Sequence, residues 1–362
     1  MSVSSIGGQW GFGPQTAKGA AATTFYRYRA LRVGGGAVTI TEPMPPEVGG
    51  VPLPDGAHKL GAYYAGIADI VPRLEDDIGW LFYAACGAVS TVSDVPEAGL
   101  FTHYFRMDPS NYLALKWLTI RSVTPAPEGG AESGEQCLDT RVASIVFNFA
   151  AAARLTARVT TLGREPTFSD DVSGWSWDAE PEGPESIPTS VNTVGYGFKI
   201  PDLQANALPT QLARVTFGNM VTQPQQEFVL GSPYPDDIVS LYRNITIDVD
   251  YKWEDQSLYH KLVAGGGTGA SIPWSPMVYD TNDGDDGFGV MMASPAVVVG
   301  QLYPYSIEIV AERVFWFPVA PPEIAGLNLL RMPIRGIVGR PASGDPFSIK
   351  LVNEVSSYTW PT

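Results

Sequence analysis

IADIVPRLEDDIGWLFYAACG, residues Ile67 to Gly87, decides how the rest of the sequence is interpreted, because a related pattern occurs once more. ITIDVDYKWEDQSLYHKLVAG, residues Ile245 to Gly265, follows the same plan when Ile67 is placed over Ile245 without a gap. Each block begins with a β-type run, continues with an acidic pair and apolar residues at helical spacing, and ends at a glycine. Acids favour a helix N-terminus, and glycine favours the left-handed residue that ends a helix. The two blocks therefore predict strand, short helix and glycine cap twice, as in an internal duplication.

Composition narrows the fold class. The chain has 362 residues, 44% of them hydrophobic and only 17% charged, with 38 glycines and 31 prolines. Low charge with many turn-forming, β-branched and aromatic residues favours an all-β or α+β protein. The net charge of -15 argues against a protein that wraps nucleic acid by neutralising its phosphates, but it leaves open contact with DNA that slides without being held.

Shifts in composition suggest a division into two tandem copies. Residues 1–24 are small and glycine-rich and predict a flexible arm, and residues 25–165 form the first predicted copy. Residues 166–200 are acidic and rich in Pro, Gly and Ser, so they predict a linker before the second copy, residues 201–362. Within the first copy, Thr124 to Gln136 lacks periodicity and predicts a long protruding loop.

Strand patterns are similar in the two copies. The first contains LFTHYFRM and LALKWLTIRSV around the turn residues DPSN, which predicts a hairpin. It then has VASIVFNF and LTARVTTL, which predict a strand pair. The second contains GVMMASPAVVV followed by PYSIEIVAERVFWF, and it ends with LLRMPIRGIVG and PFSIKLVNEV. Each copy is thus expected to have a helix, a hairpin and a closing strand pair.

No residue pattern predicts catalysis, a cofactor or a metal. His58, His103 and His260 lack partners at catalytic or ligand spacing, and Cys86 lies on the apolar face of the first predicted helix. DTNDGDDG, from Asp280, departs from the EF-hand calcium loop in its glycine and its twelfth position, so a solvated acidic turn is favoured over a weak cation site. The tryptophans are expected to pack in cores and interfaces, not to form a carbohydrate platform. No stretch has signal-peptide or membrane-spanning character, so synthesis as a soluble cytoplasmic chain is expected.

Several stretches resemble the tail tube proteins of long, non-contractile-tailed (siphovirus-like) bacteriophages. VLGSPYPDDIVSLYRNITIDVDYKWEDQSLYHKLVAG, LNLLRMPIRGIV and FSIKLVNE carry the resemblance in the second copy. PDGAHKLGAYYAG, GWLFYAACGAV and THYFRM carry it in the first. The resemblance runs from about Phe25 to Asn353, and the segments Thr124–Gln136 and Pro166–Gly197 depart from it.

The resemblance implies a mainly β fold, with a β-sandwich or half-barrel and a flanking short helix in each of two tandem copies. It also implies a structural protein of the virion tail, made in the host bacterial cytoplasm. Rings of this chain would stack with other tail proteins into a tube through which double-stranded DNA passes during ejection. With two copies per chain, three chains would form a pseudo-sixfold ring; without the duplication, six chains would be needed. The alternative is another β-rich virion component that binds carbohydrate or decorates the capsid.

The lumen of such a tube is expected to be acidic, because rows of Lys and Arg would hold the phosphates of a moving duplex. Leu113–Val123 and Tyr305–Val314 are the expected wall strands. Glu308 and Glu312 are the candidate lumen-facing acids, since their spacing of four residues places both on one side of a strand.

Overall fold

The structure is a computed structural model. It describes residues 8–43, 56–178, 186–191, 198–199, 210–252, 257–264, 279–281, 287–297, 303–320 and 331–362, without residues 127–129 or the single positions 76, 109, 112 and 342. The predicted mainly β fold is confirmed: strands account for 59% of the chain and helices for 6%. Gly265, the glycine expected to end the second helix, and most of the DTNDGDDG stretch lie outside the described residues.

In the described part of the chain, eighteen strands and two short α-helices follow one another. The first half contains β1 (Gln9–Pro14), β2 (Tyr26–Tyr28), β3 (Ala30–Pro43), β4 (Ala57–Ile70), α1 (Ile78–Cys86), β5 (Gly87–Ser93), β6 (Phe101–Met107), β7 (Leu118–Thr124), β8 (Ser133–Ala150) and β9 (Thr156–Ser169). The second half contains β10 (Phe198–Lys199), β11 (Thr210–Val221), β12 (Ser240–Lys252), α2 (Ser257–Ala264), β13 (Tyr279–Thr281), β14 (Phe288–Val297), β15 (Pro304–Ala311), β16 (Val314–Pro318), β17 (Arg331–Val338) and β18 (Phe347–Asn353).

A 12-stranded antiparallel sheet, the large sheet, runs through both halves of the chain. Its first group of four strands has the order β3, β4, β9, β8, and its second has the order β11, β12, β17, β16. The two groups meet where the C-terminal part of β8, residues 144–150, pairs with β11. The N-terminal part of β8 pairs instead with β7, which continues to β1 and β2.

A six-stranded sheet, the small sheet, has the order β10-β14-β15-β18-β6-β5 and also combines both halves. One continuous hydrophobic core contains buried residues from both sheets and both halves. Strand alternation explains the core, because inward-facing β12 residues Ile245, Ile247 and Val249 are buried while their neighbours face outward. The two halves therefore share one core.

Helix α1 packs against β8 of the large sheet and β5 and β6 of the small sheet. It ends at Gly87, whose φ of 103° is in the left-handed region, so the predicted glycine cap is confirmed. The helix starts at Ile78, directly after the acidic residues, and Asp77 is its N-cap residue. Cys86 is buried, and burial raises the pKa of its thiol to about 12, as fits a core residue.

The end of α1 is held by two side chains from the second half. The Asn219 amide donates to the carbonyls of Ala85 and Val142 at 3.0 and 2.8 Å. The Arg243 guanidinium donates to the carbonyls of Ala85 and Ala114 at 3.0 and 3.1 Å. Burial lowers the pKa of Arg243 to about 10. These bonds satisfy carbonyls that a helix C-terminus leaves without partners, and they tie β11 and β12 to the first half.

Several local expectations differ from the structure. Gln9–Pro14 forms β1 and pairs with β7, so this part of the expected N-terminal arm belongs to the large sheet. The expected loop Thr124–Gln136 is shorter, because β8 already begins at Ser133. Within the expected linker, β9 continues to Ser169 and Trp177 contacts Phe25 with ring centroids 6.4 Å apart.

Two strand pairings differ as well. The predicted hairpin of β6 and β7 is wrong, because β6 pairs with β5 and β18 in the small sheet while β7 lies in the large sheet. The final strands β17 and β18 likewise lie in different sheets. The predicted pairs β8–β9 and β14–β15 are confirmed. Local spacing identified pairs within one sheet and failed where the chain changes sheets.

The blocks that begin at Ile67 and Ile245 match each other in the structure with an offset one residue larger than the gapless sequence alignment gives. Ile67 is 42% exposed, whereas Ile245 is 4% exposed. Since strand side chains alternate between faces, these isoleucines cannot be equivalent. Placing Asp69 over Asp248 instead matches the faces, and the same shift of 179 positions also places the start of α1 over the start of α2.

Candidate assembly surfaces

One face of the large sheet packs on the core, and the opposite face carries charged side chains in rows across the strands. In the first group, Asp69 of β4 accepts hydrogen bonds from Arg158 of β9 at 2.6 and 3.2 Å. In the second, Asp248 of β12 accepts one from Arg335 of β17 at 2.5 Å. Asp250 of β12 also forms an ion pair with Arg331 of β17 at 3.3 Å. We call this surface the ion-pair face.

A second arginine completes each row. Arg32 of β3 is the ladder partner of Asp69, and Arg214 of β11 is the ladder partner of Asp248. The rows Arg32–Asp69–Arg158 and Arg214–Asp248–Arg335 therefore occupy the same ladder positions in the two groups of strands. Sequence reasoning missed these residues, although ALRV at residues 30–33 and LARV at residues 212–215 both contain the Arg-Val pair.

The electrostatics of the rows follow from these contacts. The hydrogen bond from Arg158 holds the pKa of the Asp69 carboxyl below its usual value, and Arg32 acts in the same direction. The carboxylates raise the pKa values of Arg158 and Arg335. Such exposed pairs contribute little to stability, because water and salt screen their charges. Their chemical effect is that guanidinium donors are already occupied by carboxylates.

The junction of the two groups lies in the middle of the ion-pair face. Asn148 of β8 is the ladder partner of Arg214 and accepts a hydrogen bond from its Nε at 3.0 Å. A concave region of about 600 Å³ lies here, lined by residues that include Asp69, Arg158 and Asp248. The junction shows how one four-strand group docks on the next.

Among the described residues, the edge strand β3 has no pairing strand in the position where β8 pairs with its counterpart β11. Among the described strands, β3 pairs only with β4. Val33 is 42% exposed and Leu31 is exposed as well, whereas Val215, which holds the ladder position of Val33, is fully buried. An open groove of about 1230 Å³ lies beside this edge and is lined in part by residues 27–33. The edge of β3 therefore resembles the edge of β11 at the β8–β11 junction, but among the described residues no strand pairs with it.

The segment between β11 and β12, residues 222–239, crosses from the second half onto the first. The Phe228 ring covers Gly61 so closely that a Cβ on Gly61 would lie 2.3 Å from it. The carbonyl of Pro233 accepts a bond from the Ala62 amide at 2.8 Å, and the amide of Gln225 donates to the hydroxyl of Tyr63. This segment, which we call the crossing loop, fastens the junction at one end of the strands.

The candidate lumen-facing acids Glu308 and Glu312 do not lie on the ion-pair face. Glu308 lies in β15 of the small sheet, where its side chain is only 12% exposed and forms an ion pair with Lys350 at 3.1 Å. Glu312 follows the end of β15 and accepts a hydrogen bond from the Asp345 amide at 3.0 Å. Of the expected wall strands, Leu118–Thr124 lies in the large sheet and Pro304–Ala311 in the small sheet. The structure does not bring the two glutamates onto the ion-pair face.

The three histidines are widely separated in the fold. His58 lies in β4, His260 lies in α2, and His103 is buried in β6. His103 forms hydrogen bonds with Thr91 at 2.9 Å and Asn353 at 3.0 Å, and burial lowers its pKa. In the part of the chain that the structure describes, His, Cys, Asp and Glu form no group of three suited to a metal ion.

A family model described as phage tail tube protein matches residues 66–300, well over half of the chain. The chain belongs to the phage tail tube protein family. It is therefore a structural component of the phage tail, and the family assembles into a tube together with other tail proteins. No curated protein gives a significant sequence match to this tube protein. Of its described helices, none has the length and apolar character needed to cross a membrane.

Proposed function

We propose that three copies of this tube protein close into a pseudo-sixfold ring by repeating the β8–β11 junction between chains. The supporting observation is the contrast between exposed Val33 and buried Val215 at equivalent ladder positions. In the ring, the edge of β3 in one chain pairs with the C-terminal part of β16 in the next chain. β16 lies beside β17 in the second group of strands, as β8 lies beside β9 in the first group. Ring closure would remove both sheet edges and their risk of uncontrolled pairing.

Strand spacing favours three chains over six. Each chain contributes eight strands in two groups of four. At about 4.8 Å between strands, three chains give a contour of about 115 Å and a backbone diameter of about 37 Å before strand tilt widens it. This diameter accommodates a DNA duplex with its hydration, whereas six chains would double it. The two groups are accordingly interpreted as copies of one ancestral unit.

The ion-pair face is proposed to line the lumen, because it is the large-sheet face directed away from the core. Its rows contain Asp69, Asp248 and Asp250 together with five arginines, Arg32, Arg158, Arg214, Arg331 and Arg335. In the proposed wall Arg158, Arg331 and Arg335 are masked by ion pairs with these aspartates, so the wall depends on internal pairing and not on an excess of acid, and the proposal replaces Glu308 and Glu312 as its charged groups. Paired guanidinium groups would let phosphates pass without being held during DNA ejection. This role is mechanical and needs no catalytic group.

Ring formation is tested by placing a charge on the β3 edge. Val33→Asp should leave the folded subunit intact but abolish rings and tubes, because it places a carboxylate where the junction buries an apolar side chain. Val191→Asp is the matched control, since Val191 is exposed in a turn away from this edge. Negative-stain images and the mass of cross-linked rings would be measured. Tubes formed normally by Val33→Asp would refute the junction, and six chains per ring would refute the trimer.

A further inference from the structure

An apolar side chain lies exposed on the ion-pair face beside a glycine. Ile67 of β4 is 42% exposed, and strand alternation places it on the same face as Asp69. Its ladder partner on the edge strand β3 is Gly34. A Cβ built on Gly34 would meet only atoms of the Arg32 guanidinium, at 3.9 and 4.0 Å. Open space therefore lies between Ile67 and the outer edge of β3.

The corresponding row inside the chain is filled by side chains. The offset that places Arg32 over its counterpart in β11 places Gly34 over Thr216. The offset between β4 and β12 likewise places Ile67 over Thr246. Across the junction, Thr216 is the ladder partner of Val146 in β8. The β3 edge thus has a glycine followed by an exposed isoleucine where the internal junction has two threonines.

β16 provides the counterpart of Val146 in the second group of strands. Val146 is the ladder partner of Arg158, and Phe317 of β16 is the ladder partner of Arg335. Because the two arginines hold the same row position, Phe317 corresponds to Val146. Trp316 is buried in the core, so alternation directs the next side chain, Phe317, to the ion-pair face. β16 therefore presents an aromatic ring where β8 presents a smaller side chain.

We infer that Phe317 of one chain packs over Gly34 of the neighbouring chain and against its Ile67. Among the described residues, the outer edge of β16 is open at this point, because β13 pairs only with residues 314–316. The glycine leaves room for the ring, and contact with Ile67 removes apolar surface of both chains from water. An aromatic ring that lies across a glycine of the next strand also helps to fix the strand register.

The occupant of the space over Gly34 is thus a second copy of this chain. The inference rests on the proposed ring and adds the register of its inter-chain strand pairing, with Phe317 opposite Gly34. Each inter-chain seam would carry an apolar patch on the ion-pair face, in contrast to the polar row at the junction within a chain.

A disulfide tests this register. Directly opposite residues of an antiparallel ladder have Cα atoms about 4.5–5.5 Å apart, a separation that a disulfide spans. Tubes of the double variant Phe317→Cys, Gly34→Cys should therefore yield covalent trimers on oxidation and single chains after reduction. Phe317→Cys with Thr39→Cys is the matched control, because exposed Thr39 lies on the same strand roughly 17 Å from Gly34. The native Cys86 and Cys137 are buried and should not interfere.

An exchange of side-chain size provides a second test without cysteines. Gly34→Trp should leave the subunit folded, since a side chain there enters open space, but it should prevent tube formation by occupying the place of the Phe317 ring. Adding Phe317→Ala to Gly34→Trp should restore tubes. Circular dichroism would check the fold of each variant, and negative-stain images would show the tubes.

The possible results separate this contact from the ring itself. Covalent trimers from the Gly34 pair and not from the Thr39 pair support the contact. Tubes that form but do not cross-link, or that cross-link equally in both pairs, overturn the register while leaving the ring intact. If the cysteine variants do not assemble, the size exchange decides. Normal tubes from Gly34→Trp, or no restoration by Phe317→Ala, overturn the contact. If the unsubstituted chain forms no rings, the proposed ring fails and the contact fails with it.

Discussion

Removing the carboxylates of the ion-pair face should raise the affinity of the subunit for duplex DNA, which is expected to be weak in the unsubstituted chain. The double variant Asp69→Asn, Asp248→Asn keeps side-chain size but removes the partners that occupy Arg158 and Arg335. Both arginines are about half exposed, so their guanidinium groups would become accessible to phosphates without any change in fold. The loss of two exposed ion pairs should cost little stability.

The magnitude follows from counterion release. Each arginine that neutralises a phosphate adds about 0.9 to the slope of log affinity against log salt concentration. Two released arginines per chain add about 1.8, so raising salt from about 50 to about 200 mM should weaken binding by about tenfold more than in the unsubstituted chain. Fluorescence anisotropy of a short labelled duplex, titrated with the monomeric subunit at several salt concentrations, would measure the slope.

A charge-matched control separates release of arginines from the change in net charge. Asp108→Asn with Asp171→Asn raises the net charge by the same amount, but these carboxylates accept bonds in turns from Ser110 and Ser173. The control should bind DNA as weakly as the unsubstituted chain. Equal slopes for the two double variants would refute the argument that pairing masks the arginines. Strong salt-sensitive binding by the unsubstituted chain would refute the proposed sliding wall.

Three further outcomes are expected. Arg243→Met should lower the free energy of unfolding by about 2–4 kcal/mol in chemical denaturation, because the carbonyls of Cys86, at the end of α1, and of Ala114 lose their guanidinium donor. Since burial lowers the pKa of His103, the unfolded chain binds this proton more tightly, and stability should fall as pH drops below about 6.5. A His103→Gln variant should show a flatter stability curve between about pH 7 and pH 5 by thermal denaturation. Gly61→Val should displace Phe228 and lower stability by about 1–3 kcal/mol, whereas Gly56→Val, whose Cβ would meet no atom within 4 Å, should not.

Local chemistry was the part of the fold that the sequence predicted well. Gly87 ended the first helix as expected, because a φ of 103° is accessible to glycine at little cost. The helix began after the acidic residues, since Asp77 stands at the N-cap and not within the first turn. Alternation within β8 and β9 predicted their pairing, which requires only a short connection.

Non-local pairing was the part that could not be predicted. Nothing near THYFRM indicates that β6 pairs with β18, because that contact depends on how two sheets close around one core. Matching Ile67 to Ile245 by residue type also misassigned the register, since Ile67 faces outward. Asp69 and Asp248 would have corrected it, because an aspartate within a β run marks the exposed face.

The arginines of the ion-pair face were missed for a related reason. The net charge of -15 describes the whole chain and suggested an acidic lumen. Charge on one face of a sheet depends on which residues alternate outward and which neighbours pair with them. Arg158 and Arg335 could be identified as partners of aspartates only once the ladders were known.

The place of β18 in the small sheet has a consequence for synthesis of the chain. β18 lies between β6 and β15, and its Asn353 bonds to His103, which is 250 residues earlier in the sequence. The small sheet can be completed only after the ribosome has released nearly all of the intervening chain, and contacts of such separation form slowly. A partly synthesised subunit therefore lacks a finished fold to present to a growing polymer. Because β18 is inserted late, a subunit would be able to join the growing tube only after β18 has been synthesised.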